Sequence, residues 1–184
     1  MIREFSVKAK PTNNKARVTF VTLLSCAGLT FGAYLVMRAF EVQKSGLFGL
    51  IPFALVIIAV FIYTKYVSPV YYYELASDSE GYPLFVVRQT YGKRTSTLCR
   101  IGLSEITSLE RETPSQRRAH KTPRSIMKYN YLPTLLPSFT YRMITRSRYE
   151  QAEIVVEISD EFAELLKEYI KEARERQIAD EDDY

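Results

Sequence analysis

Residues 18–37 read VTFVTLLSCAGLTFGAYLVM and residues 47–64 read LFGLIPFALVIIAVFIYT, and neither run contains a charged residue. These two stretches decide the architecture. A helix rises about 1.5 Å per residue, so the first covers ~30 Å, the thickness of a bilayer core. The second, eighteen residues long, is sufficient to span with little tilt. Pro52 falls near its start, where a missing N–H costs least. Tyr63, Tyr66, Tyr71, Tyr72 and Tyr73 follow it and suit an interfacial aromatic belt. A buried core helix normally carries a polar face, and neither run has a charged one. The first run is also long, starts late and lacks a small-x-small cleavage site, unlike a signal peptide.

Working outward, the connector Arg38–Gly46 has nine residues, which makes the two helices an antiparallel hairpin. Arg3, Lys8, Lys10, Lys15 and Arg17 precede the first span against Glu4 alone, and Lys65 opens a basic region beyond the second. Lysine and arginine collect on the cytoplasmic side. Both termini are therefore expected in the cytoplasm, in a multi-pass protein of the cell (inner) membrane. No Asp, Glu, Lys, Arg or His lies mid-span, which argues against a self-sufficient channel or transporter. Thr19, Thr22, Thr30 and Tyr34 can be satisfied by backbone carbonyls or the partner helix. Gly28 and Gly32 form a GxxxG, extended one turn by Ser25. It serves either to pack the first span against Ala54 and Ala59 of the second or to drive homodimerisation.

The 119 residues from Tyr66 onward are enough for an independent core. Val70–Ala76, Leu84–Thr90 and Thr95–Ile101 are rich in strand formers and separated by turn residues, Ser77–Gly81 and Tyr91–Lys93. Leu103–Glu110 could add a fourth strand. Glu112–Lys128, with two prolines, five Lys or Arg and the one His, reads as a long mobile loop. Pro133 and Pro137 confine any strand in Tyr129–Pro137 to an edge. Ser138–Thr145 reads as a strand, and Ala152–Ile158 alternates, placing Glu153 and Glu157 on a solvated face. Ser159 or Asp160 then caps a helix whose apolar stripe is Phe162, Leu165, Leu166, Tyr169, Ile170 and Ala173.

The expected fold is α+β: a two-helix transmembrane hairpin, then an antiparallel β-barrel or sandwich closed by a C-terminal amphipathic helix. The expected division is a basic segment 1–17, the hairpin 18–66 with spans 18–37 and 47–64, a β domain 67–177 and an acidic tail 178–184. The order of Tyr71–Ala76, Leu84–Thr95, Leu98–Leu109 and Ile154–Ile170, with Lys128-Tyr-Asn-Tyr131 after the long loop, resembles the bacterial pleckstrin-homology-like (PH-like) membrane proteins. That resemblance implies a PH-like domain held at the inner leaflet of a bacterial membrane. Two departures stand beside it. The chain has no Trp, whereas such domains usually place one in the last helix. The first hairpin turn carries Asp78 and Glu80, not the cations of phosphoinositide binders.

Charge is unevenly distributed. Arg88–Arg148 holds thirteen basic and three acidic residues, whereas Glu150–Tyr184 holds four basic and thirteen acidic. Arg117, Arg118, Lys121, Arg124, Lys128, Arg142, Arg146 and Arg148 are the candidate contacts. They could hold the domain against anionic lipid, each cation near that surface contributing about 1 kcal/mol, capture an unidentified acidic protein, or be neutralised by the acidic C-terminal helix. Tyr129, Tyr131 and Tyr141 interleave with basic residues, but no nucleic-acid motif accompanies them, and nucleic acid is disfavoured.

The composition excludes a simple soluble globule, a disulfide scaffold and a disordered chain. Two Cys and one His are too few for a Cys/His zinc site. P-loop, G-x-S-x-G, H-E-x-x-H and G-x-G-x-x-G motifs are absent. His120 reads as a solvated loop residue without an orienting carboxylate, and Cys99 as a small core residue that Arg100 would activate only if both were exposed. The expectation is a non-catalytic, cofactor-free membrane scaffold. The alternative is an accessory subunit that contacts an integral-membrane enzyme or transporter through the hairpin.

Overall fold

A computed structural model of the chain describes residues 5–9, 11, 13–41, 45–120, 123, 125–146 and 150–182. It is α+β, with two long apolar helices and two four-stranded sheets. The chain divides into a helical unit, Asn13–Pro69 with Thr134–Leu136, and a β unit containing all the strands.

In the helical unit, α1 spans Lys15–Ala39 and ends where Glu41 takes a positive φ of 54°. A short α2, Ser45–Phe48, precedes α3, Leu50–Ile62, which runs on through one wider helical turn, Tyr63–Val67. The helices Lys15–Ala39 and Leu50–Val67 are both long and apolar enough to cross a membrane. Within their apolar windows only 6% and 17% of residues are buried. Val18, Leu29, Phe53, Ile57 and Phe61 point outward, the reverse of a soluble core helix. Ala16, Ala27, Pro52, Ala59 and Ile62 are the buried residues along the pair. Thr30 and Thr64 donate to the carbonyls of Cys26 and Val60 at 2.8 and 2.9 Å, so these hydroxyls are satisfied without water.

In the β unit, sheet A has the order β1 (Phe5–Lys8), β2 (Val70–Ser77), β3 (Pro83–Tyr91), β4 (Arg94–Gly102), all antiparallel. Sheet B contains β5 (Ile106–Glu112), β6 (Met127–Tyr131), β7 (Thr140–Arg146) and β8 (Gln151–Val156) in the order β5-β7-β8-β6. Helix α4 (Pro114–Ala119) lies between β5 and β6, and α5 (Asp160–Asp182) ends the unit. The inward residues of both sheets and the stripe of α5 share one core, which includes Tyr73, Phe85, Leu103, Met143, Val156, Phe162 and Leu166. Each such side chain contributes about 1.5–3 kcal/mol on burial. Tyr73 links the sheets as well: its hydroxyl donates to the Tyr131 carbonyl at 2.7 Å and accepts from the Glu157 amide at 3.2 Å.

Several expectations need correction. The segment 1–17 is not merely a basic lead-in, because it carries β1, which pairs Val7 with Tyr73. The fourth strand starts only at Ile106, after a tight turn at Leu103–Glu105. The region 112–128 contains a helix: Thr113 caps α4, Gln116 reciprocates and Pro114 sits in the first turn. Sheet B is not wholly antiparallel, since β6 runs parallel to β8. It is an edge strand of sheet B and ends before Pro133. Ser159 accepts from the Phe162 amide at 3.2 Å and starts α5. The helix runs on to Asp182, past the expected boundary at 177.

Candidate functional site

The charged residues of sheet B come together across neighbouring strands. Glu110 lies opposite Arg142 in the β5–β7 register, and Glu112 follows two residues later on the same face. The Arg142 guanidinium reaches Glu110 Oε2 at 2.6 Å, Glu112 Oε1 at 2.8 Å and His120 Nε2 at 2.9 Å. Lys128 lies opposite Glu153 in the β6–β8 register and its Nζ meets Glu153 Oε1 at 2.5 Å. Glu153 Oε2 is 3.4 Å from His120 Nε2. The arginine can only donate, so the imidazole nitrogen accepts from it.

This corrects two expectations. Glu153 and Glu157 are 2% and 5% exposed, not a solvated face. The strand does alternate, but the outer face of β8 is covered as well as the inner one. His120 is not a free loop residue, because it ends α4 beside Arg142 and Glu153.

The eight candidate cations separate into three groups. Arg142 is engaged by carboxylates of β5 and Lys128 by one of β8. The helix meets the domain's cations near its start, where Asp160 pairs with Arg111 at 3.4 Å and accepts from Tyr141 at 2.6 Å. Arg117 is half-buried, and Arg118 and Arg146 are exposed. Lys121, Arg124 and Arg148 lie outside the described residues. Gly28 and Gly32 face open space: a Cβ built on either meets no atom within 4 Å. The close approach falls instead at Gly49, where a Cβ would lie 3.1 Å from the Tyr34 ring.

Sequence reasoning missed a second set of cations. Lys93, Arg94 and Arg100 are exposed on the β3–β4 hairpin and along β4. Their only signal was position, on the last strand of the three-strand meander. Cys99 lies in the same strand. Burial raises its thiol pKa, the opposite of the activation that Arg100 would have provided. Tyr131 Oη lies 3.4 Å from the Leu98 carbonyl, and burial, with Cys99 beside it, pushes its phenol up to about 12.

A pocket of about 320 Å³ opens beside β1 and the start of α5. Val7, Phe139 and Phe162 give it apolar walls, and Glu157 and Ser159 line it too. Among the described residues no cluster of three or more His, Cys, Asp or Glu is placed to hold a metal.

Comparison with known proteins finds no family model, no curated protein and no solved structure that matches the chain.

Proposed function

We propose that the chain is a non-catalytic, membrane-anchored binding or scaffolding module that presents a PH-like domain at the cytoplasmic face of the inner membrane. The observation that carries this reading is the coexistence of two apolar helices with outward-facing Val, Leu, Ile and Phe side chains and a β unit with its own closed core. Lipid is the solvent that such helix surfaces match. Two sheets and a final amphipathic helix, in the order β2 to α5, are compatible with the PH-like assignment. Lys15, Arg17 and Lys65 at the helix ends support the cytoplasmic placement of the β unit. The non-catalytic reading draws on the engagement of Arg142 and Lys128 with strand carboxylates, the arrangement of a structural network.

The test is fractionation of the full chain. It should stay with membranes through alkaline carbonate and leave only with detergent. Recovery in the soluble fraction after detergent-free lysis would overturn the reading.

One observation favours the second reading, an accessory subunit contacting a membrane enzyme or transporter through the hairpin. Among the described residues nothing lies within 4 Å of a Cβ built at Gly28 or Gly32, leaving space for a partner helix. Replacing both glycines by Ile should leave membrane insertion intact and remove any stoichiometric membrane partner, or crosslinked dimer, retained in mild detergent. Retention of that species by the double variant would exclude the glycine face.

A further inference from the structure

Strand β4 is the outermost strand of sheet A, paired on one side with β3 and on the other with no strand among the described residues. Its orientation follows from the turn. Tyr91 pairs with Arg94 across a two-residue turn whose first residue, Gly92, has φ +56°. The closing pair of such a hairpin shares both backbone bonds, and hydrogen-bonded and open pairs then alternate. Gln89 and Ser96 form the next bonded pair, whereas Thr95 and Thr97 direct their N–H and C=O groups away from β3. The contact between the Thr90 and Thr95 hydroxyls, 2.9 Å, fits that open pair. Leu98 is skipped in the register, a bulge, and its carbonyl is taken by Tyr131 of β6. The open edge is therefore Arg94–Thr97, bounded by Tyr131.

Residues 94–97 are all exposed. Tyr129 stacks on Tyr131 with ring centroids 6.2 Å apart and is itself 40% exposed, giving an aromatic surface at the end of the edge. Lys93, Arg94 and Arg100 flank it. A second copy is a poor occupant: it brings the same exposed Lys93, Arg94 and Arg100 to the edge, and like charges brought together across a ladder destabilise it. The cations that deter a basic copy attract an acidic strand.

We infer that the Arg94–Thr97 edge of β4 is a docking site for an extended acidic peptide segment of a partner protein, which adds a strand to sheet A. Main-chain bonds to Thr95 and Thr97 hold it, Lys93, Arg94 and Arg100 select its charge, and Tyr129 contacts its apolar side chains. The inference rests on the binding-module reading and names the partner class. The two fail separately, because fractionation tests the anchor and peptide binding tests the edge.

The experiment uses the full chain in detergent micelles and a fluorescein-labelled decapeptide of alternating valine and glutamate. Fluorescence polarisation should show saturable binding. The same peptide N-methylated along one edge should bind at least tenfold more weakly, as should a valine–lysine peptide. Thr97→Pro removes an outward N–H without breaking the bonds to β3 and should lower affinity at least tenfold with the circular dichroism spectrum retained. Arg94→Glu with Arg100→Glu should do the same, whereas Thr95→Val should bind as the parent does. Equal binding of the N-methylated peptide, or no saturable binding, overturns the inference. So does a dimer abolished by Thr97→Pro, which would assign the edge to a second copy. Arg94- and Arg100-dependent binding to phosphatidylglycerol vesicles without peptide binding would assign it to lipid.

Discussion

The amide of Ala9 donates to the carbonyl of Tyr71 at 2.9 Å, and both apolar helices lie in the chain between these two residues. The helical unit is thus inserted between adjacent strands of one sheet. A chain that leaves β1, crosses a membrane and rejoins the same sheet at β2 must cross an even number of times. That conclusion is independent of the lysine and arginine bias and agrees with it. It also gives β1 a purpose: removal of the first helix as a cleaved leader would remove a strand with it.

The pairing can be weakened at Val7, which lies opposite Tyr73. Val7→Pro removes a ladder donor two residues from Ala9. Amides of Tyr73 and Leu75 should exchange with deuterium faster, while those of β7 keep their protection. Unchanged exchange along β2 would mean that β1 is not held there.

Arg142 is 13% exposed at its side chain and meets Glu110, Glu112 and His120. Arg142→Met leaves the buried Glu112 carboxylate without its cation, and removing one partner of such a pair costs about 3–5 kcal/mol. Urea denaturation of the solubilised chain should show this loss, with part of it recovered by adding Glu112→Gln. Arg118→Ala, on the exposed side of α4, should cost about 0.5 kcal/mol or less. Equal effects of the two arginines would refute the network.

Burial, with hydrogen bonding to Asp160 after it, pushes the Tyr141 phenol up to about 12, and Tyr131 reaches about 12 as well. Tyr73 is raised further, again chiefly by burial. An unfolded phenol ionises near pH 10. Between about pH 10 and 12 the unfolded chain has released protons that the folded one retains, so stability is full below about pH 10 and falls as pH rises. Ultraviolet phenolate titration should show late-ionising tyrosines whose release accompanies unfolding, with one fewer in Tyr141→Phe. A single ionisation near pH 10 with the fold intact would contradict this.

Phe85 is fully buried between the sheets and stacks near Tyr73 at 6.2 Å. Phe85→Ala should cost about 3–5 kcal/mol by cavity formation, whereas Leu98→Ala, at the exposed bulge, should cost much less. Near-equal losses in urea would contradict the assigned core.

What the sequence made legible followed from local periodicity. The two apolar runs, the three-strand meander and the stripe of α5 all appear where hydrophobic spacing put them, because each is set by its own residues. Misreadings arose where a partner distant in the chain decides. Phe5–Lys8 is a strand only because β2, beyond both helices, offers an edge. Glu153 and Glu157 follow the period of a half-solvated strand yet are buried on the face that the period assigns to solvent. His120 looked isolated because Arg142 and Glu153 reach it from other strands. The open edge of β4 could not be read at all, since alternation says which face is buried but not which edge goes unpaired.

Side-specific labelling tests the central claim most directly. In a chain carrying Cys26→Ala and Cys99→Ala, single cysteines are placed by Ser6→Cys in β1, Glu41→Cys after α1 and Ser79→Cys in the first β hairpin turn. An impermeant maleimide applied to intact cells should label Glu41→Cys, and should reach Ser6→Cys and Ser79→Cys only after permeabilisation. Labelling of all three together, or of Ser6→Cys and Ser79→Cys on opposite sides, would contradict a hairpin that crosses twice and rejoins one sheet.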